Sequence, residues 1–150
     1  MNLPPIYNKI VDKLDALKGI SLLAIRLALA YGFYEPAKMK WSNIGSVSEW
    51  FASMGIPLPT LNAYMAASTE AIGVVLLILG LGTRFISVPL IIVMLVAIFT
   101  VHFANGFAAG NNGFEIPLYY LLMLLLLLTT GGGKISIDHI IEKKCKVNYN

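Results

Sequence analysis

The stretch Asn62–Leu81, NAYMAASTEAIGVVLLILGL, carries a single charged residue, Glu70, within twenty positions. A helix needs about 20 such residues to cross a hydrocarbon layer about 30 Å thick. Three further stretches have the same character, at 20–36, 86–103 and 114–130. Joined by short connections, they form antiparallel neighbours. The expected fold is all-α: an integral membrane four-helix up-down bundle forming a single membrane domain over residues 1–150, with a tail from 131 to 150.

Arg26, Glu70, His102 and Glu115 lie within these stretches or at their edges. A charge at the bilayer centre costs roughly 2.5–3.5 kcal/mol on insertion scales. A chain that keeps such residues pairs them, wets them or uses them.

Composition agrees with a membrane location: 57% of residues are hydrophobic and 13% charged, and the mean hydropathy is +0.75. The net charge of +3 does not imply a nucleic-acid partner, because the basic residues sort by topology and form no single patch. Lys9, Lys13, Lys18, Arg84, Lys134, Lys143, Lys144 and Lys146 fall on one side of the expected bundle, and Lys38 and Lys40 on the other. The positive-inside rule then predicts a multi-pass membrane protein with both termini cytoplasmic. Ala28-Leu29-Ala30 mimics a signal-peptidase site, but Arg26 interrupts the apolar core before it, so the first span is read as retained. Cys145 is the single cysteine, which excludes an internal dithiol mechanism.

Smaller features complete the architecture. Ile6, Tyr7, Ile10, Val11, Leu14 and Leu17 share one helical face opposite Lys9, Asp12, Lys13 and Asp15, predicting an N-terminal interfacial helix over 6–18. Pro36 is expected to break the first span after its aromatic end, Tyr31 to Tyr34. Ser46-Val47-Ser48-Glu49 reads as a capping box that opens a short outer-loop helix carrying Trp50 and Phe51. Gly131-Gly132-Gly133-Lys134 closes the fourth span.

Glu70 lies about 12 Å from the outer end of its span at 1.5 Å per residue. Ala63, Ala66 and Gly73 share its face, leaving room for a helix or a ligand beside the carboxylate. Its structural role is a buried ion pair or a protonated acid bonded to a neighbouring hydroxyl; its functional role is a proton carrier or ligand-binding carboxylate. Arg26 either snorkels to the headgroups or reaches Glu70 as a bidentate partner. His102 and Glu115 come to the same depth at the outer end, where both also serve as simple helix-end caps. With Glu35, Lys38 and Glu70 they describe an outward-facing polar vestibule, which Tyr31 and Trp41 are placed to roof. No compact ligand spacing implies a metal site, and no phosphate loop, nucleophile elbow or nucleotide fingerprint identifies catalytic residues.

Leu22-Leu23-Ala24-Ile25-Arg26-Leu27 with Gly32 and Lys38 resembles the first span of the DoxX family of small bacterial membrane proteins. Trp50-Phe51 with Gly55-Ile56-Pro57, Glu70 with Gly73 and Gly80, Thr83-Arg84, and the closing Gly131 to Asp138 segment resemble the same family in order and spacing. The resemblance implies a four-helix inner-membrane protein. It points to relatives such as a quinone-reducing thiosulfate oxidoreductase subunit, a mycobacterial partner of oxidative-stress enzymes, and members beside clusters that modify copper-binding peptides. Gly106-Phe107 with Asn112-Gly113-Phe114-Glu115 resembles that last branch.

The expected function is an accessory subunit of a redox, oxidative-stress or metal-related system, holding a quinone or other lipophilic carrier between its helices. Arg26, His102 or Lys38 would hydrogen-bond a carbonyl, and Glu70 or Glu115 would exchange the accompanying proton. Because no flavin, haem or metal motif appears in the sequence, a protein partner is expected to supply electrons, with membrane lipids as surroundings. The alternatives are a small transporter or exporter and a non-catalytic assembly factor. The transporter would be a homo-oligomer using the small-residue face of Ala63, Ala67 and Ala71.

Overall fold

The computed structural model describes the backbone of residues 5–147 and the side chains of residues 11 and 13–145. Helix α1 runs unbroken over Pro5–Ser42. The expected separate interfacial helix is therefore the first part of α1, and the faces assigned to Ile6, Tyr7, Lys9, Ile10 and Asp12 lie outside the described side chains. Only Gly19 stood to break the run, and a lone glycine costs a helix about 1 kcal/mol. The tail packs beside it: a Cβ at Gly19 would stand in ordinary contact, 3.5 Å from the Cβ of Lys134.

Pro36 also fails to end the helix, since α1 continues six residues past it. Proline removes one hydrogen bond and crowds the carbonyl four residues back. Helices tolerate this where neighbours hold the following turn; here Ala37 is buried and α1 packs along α3.

Helix α2 spans Ile44–Ser53 and starts ahead of the expected capping box, with Asn43 at its N-cap. Ser46 therefore lies inside the helix and is not its cap, and the Ser48 hydroxyl shares a 2.7 Å hydrogen bond with the Thr60 hydroxyl of the next helix. Val47 and Phe51 form the apolar face of α2, packed on Ala63 of α3, which spans Pro59–Leu79. Two left-handed glycines, Gly80 (φ 64°) and Gly82 (φ 57°), turn the chain into α4, Thr83–Ala97. A π turn at Ile98–His102 and a 3-10 turn at Phe103–Asn105 prolong α4. Helix α5 spans Glu115–Thr130 and α6 spans Ile137–Val147.

Four helices touch in a ring, α1 on α3, α3 on α4, α4 on α5 and α5 on α1. Leu29, Phe33, Leu77, Leu90, Leu124 and Leu127 fill its centre with essentially no exposure. Three helices are long and apolar enough to cross a membrane, Lys13–Ser42, Pro59–Leu79 and Thr83–Asn105. Where a fourth full span is expected, α5 is apolar but only 16 residues, about 24 Å at 1.5 Å per residue. Large apolar side chains on the ring's outer faces, including Ile72, Val75, Val88, Ile92 and Phe99, are exposed, as lipid-facing residues are. The small-residue face does not share that surface: Ala63 and Ala67 are fully buried within the chain.

The segment expected as a polar tail folds back on the α3–α4 hairpin. Asp138 accepts the Gly82 N–H at 2.7 Å and the Thr83 N–H at 2.9 Å, capping α4, while its own N–H donates to the Gly80 carbonyl at 3.0 Å.

Candidate functional site

Two inward seams position the polar residues. On α1, Arg26, Leu29, Phe33, Ala37 and Lys40 recur at steps of three and four; on α3, Ala63, Ala67, Glu70, Gly73 and Leu77 do the same. That period keeps each set on one side of its helix. Because α1 continues through Pro36, its seam carries Lys40 to the level of Glu70.

Lys40 Nζ donates to both carboxylate oxygens of Glu70, at 2.9 Å to Oε1 and 2.7 Å to Oε2. The Glu70 side chain is 2% exposed and that of Lys40 13%. An ammonium has three N–H donors, so the third remains available to a neighbouring group.

The pair stands on the wall of a half-open cavity of about 380 Å³ lined by Phe33, Pro36, Trp50, Phe51, Tyr120 and His102. Phe33 and Tyr120 meet edge to face at 5.7 Å. Tyr120 lies where a side chain on Gly32 would stand, so the lack of one at Gly32 seats that ring. The π turn at Ile98–His102 brings Val101 and His102 to the same wall, and such widened turns recur at functional sites. His102 Nδ1 is 2.8 Å from the Asn112 carbonyl. A carbonyl only accepts, so Nδ1 carries the proton, and Nε2 is an acceptor in the neutral ring.

The other expected vestibule residues go elsewhere. Glu35 and Lys38 face outward, 4.0 Å apart and largely exposed. Tyr31 is 83% exposed, and Trp41 packs on Tyr64 at 5.9 Å, so neither roofs the cavity; Trp50 and Phe51 take that place. Glu115 ties down the α4–α5 loop, accepting the Ala109 N–H at 2.9 Å and the Tyr119 hydroxyl at 3.1 Å.

Arg26 does not meet Glu70. It is fully buried at the opposite end of the ring, where Nη1 donates to the Leu77 carbonyl at 3.2 Å and Nη2 to the Ile135 carbonyl. The last carbonyls of a helix lack partners within it and attract cations. Leu77 is seven residues beyond Glu70, about 10 Å along α3. Lys40 is the residue the sequence reading missed; its place on the Arg26–Leu29–Phe33–Ala37 seam was the available signal. Among the described residues, no group of three or more His, Cys, Asp or Glu is arranged to hold a metal ion.

The DoxX family model matches residues 21–103, which include Arg26, Lys40, Glu70 and His102. A Haemophilus influenzae protein named "Uncharacterized protein" is 37% identical over 133 residues, 83% of this chain and 85% of that protein. A Bacillus subtilis protein named "Putative oxidoreductase CatD" is 32% identical over 96 residues, 64% of this chain and 69% of that protein. No solved structure matches. With the family model covering more than half of its length and these two relatives beside it, the chain belongs to the DoxX family.

Proposed function

We propose that this protein is an inner-membrane accessory subunit of a redox system that holds a quinone or similar lipophilic carrier against the Lys40–Glu70 pair. In this reading α1, α3, α4 and α5 cross the bilayer as a four-helix bundle, both termini are cytoplasmic, and a protein partner delivers electrons. The observation that carries it is a buried ion pair opening onto an aromatic-walled cavity. Its supports are the DoxX family membership and a relative named as an oxidoreductase.

The residues present suit such a ligand. A cavity of about 380 Å³ falls within the roughly 300–1,000 Å³ range of small-molecule sites. A quinone, when bound, supplies the uptake and release of two electrons with protons. Phe33, Trp50 and Tyr120 provide flat, largely apolar walls. The third Lys40 N–H donates to a carbonyl oxygen in the cavity, and Glu70 holds or releases a proton beside it. His102, with Nδ1–H committed to Asn112, donates from Nε2 only as the imidazolium. Arg26 and Glu115 have no part in this reading.

Native mass spectrometry of protein extracted gently with its own membrane lipids tests it, beside Lys40→Met and Glu70→Gln. A quinone that accompanies the wild type and is lost from both variants supports the site. A wild type that carries none, or variants that retain it undiminished, would refute it.

A further inference from the structure

At the Arg26 end of the ring, a cavity of about 340 Å³ lies between α4 and the glycine loop, with Arg84, Phe85, Gly132, Gly133, Lys134 and His139 on its walls. The backbone N–H groups of Gly132, Gly133 and Lys134 make no hydrogen bond among the described residues. Successive free N–H groups on a loop without side chains form a concavity that accepts anions closely. Arg84 and Lys134 are exposed beside it and bring two positive charges. Asp138 is also present, but both its oxygens accept the N–H groups of Gly82 and Thr83. Glu142 lines the same cavity, so the positive charge of Arg84 and Lys134 is not uniform there, and the unpartnered N–H groups supply the further donors.

An apolar groove continues from this cavity. It has a volume of about 450 Å³, is walled by Leu76, Leu81, Ile86 and Pro89, and shares Gly82, Phe85 and Asp138 with the polar cavity. Phe85 is 84% exposed at the junction. A free inorganic anion makes no use of such a groove, whereas a phospholipid uses both compartments. The junction lies where α3 and α5 end and α4 begins, with Lys18, Lys134, Lys143 and Lys144 at the same end. Headgroups meet a membrane protein at this level, and anionic ones are drawn to basic residues there. We infer that this site binds an anionic phospholipid, its phosphate on the Gly132–Lys134 N–H groups with Arg84 and Lys134, and one acyl chain along the Leu76–Pro89 groove.

The test is native mass spectrometry of lipid-stripped full-length protein in a neutral detergent, titrated separately with phosphatidylglycerol, phosphatidylcholine and inorganic phosphate. The wild type is expected to hold one phosphatidylglycerol at least tenfold more tightly than phosphatidylcholine. Arg84→Ala/Lys134→Ala is expected to lose about tenfold or more of that binding, and Lys143→Ala/Lys144→Ala to keep it. Millimolar inorganic phosphate is expected not to compete. Both altered side chains in the first variant are exposed; an unchanged melting temperature in lipid-free detergent, with Arg84→Gln as a second variant, separates lost binding from lost fold. Equal binding of the two lipids, retention by the Arg84 variants, or displacement by inorganic phosphate would each overturn the assignment.

Discussion

Lys40, two residues from the end of α1, and Glu70, midway along α3, form a buried ion pair in which one ammonium bridges both carboxylate oxygens at 2.7 and 2.9 Å. The pair turns the least tolerable residue of the second span into part of a cavity wall. It depends on α1 extending past its proline, since Lys40 lies in the turn beyond Pro36. Arg26 on the same seam donates from Nη1 and Nη2 to backbone carbonyls, while its buried Nε has no partner among the described residues.

Removing one member of the pair leaves the other charged and buried. Lys40→Met is expected to destabilise the protein by about 3–5 kcal/mol, and Lys40→Met/Glu70→Met to recover most of that loss. Lys38→Ala, at an exposed pair, is expected to change stability by no more than about 0.5 kcal/mol. Thermal unfolding of these proteins, together with Glu70→Met, in one detergent measures this, and additive single and double variants would argue against the pairing.

Gly80 and Gly82 share a left-handed backbone but differ in surroundings. A Cβ on Gly82 meets open space, whereas one on Gly80 runs into the Arg26 guanidinium and stands 2.6 Å from the Ser136 Cβ. Gly82→Ala is therefore expected to lose about 1–2 kcal/mol from backbone strain, and Gly80→Ala distinctly more. Equal melting temperatures for the two variants would contradict the packing of Arg26 beneath the hairpin.

Asp138 caps α4 from a distant part of the chain. Asp138→Ala removes the acceptor of two N–H groups and is expected to lower stability by about 1–2 kcal/mol, as lost caps do. Hydrogen exchange locates the effect: amides of Gly82, Thr83 and the Ile137–Val147 helix are expected to exchange faster, and those of α2 to remain as they were.

The proposed orientation is open to a direct reading through the native thiol. Cys145 is exposed. A membrane-impermeant maleimide is expected to label it in inside-out vesicles and not in intact spheroplasts. A cysteine placed at Asn111 in a Cys145→Ser background is expected to show the reverse. Labelling of Cys145 from the outside would invert the topology.

The apolar stretches were legible because a hydrocarbon environment admits few charges, so composition alone marks them out. Glu70 and Arg26 stood out for the same reason. Lys40 did not, since Pro36 read as a helix end and a lysine beyond it reads as solvated. The capping box at Ser46 was misleading for a related reason: a local hydrogen-bond pattern competes with packing, and Val47 and Phe51 on Ala63 set where α2 lies. The Gly131–Lys134 segment read as an ending, yet it seats the tail on the hairpin.

By itself, the sequence determined the helical class, the extents of the second to fourth apolar helices to within a few residues, and two buried ionisable groups, Arg26 and Glu70, that demand partners. Those properties follow from the period of a helix and the cost of charge in an apolar medium, both local to a segment. The tertiary structure alone decided the pairings: Glu70 with Lys40, Arg26 with the carbonyls of Leu77 and Ile135, and Asp138 with the start of α4. A buried charge requires some partner but does not name it. Backbone carbonyls and N–H groups occur along the whole chain, so only the packing of helices brings one of them within reach.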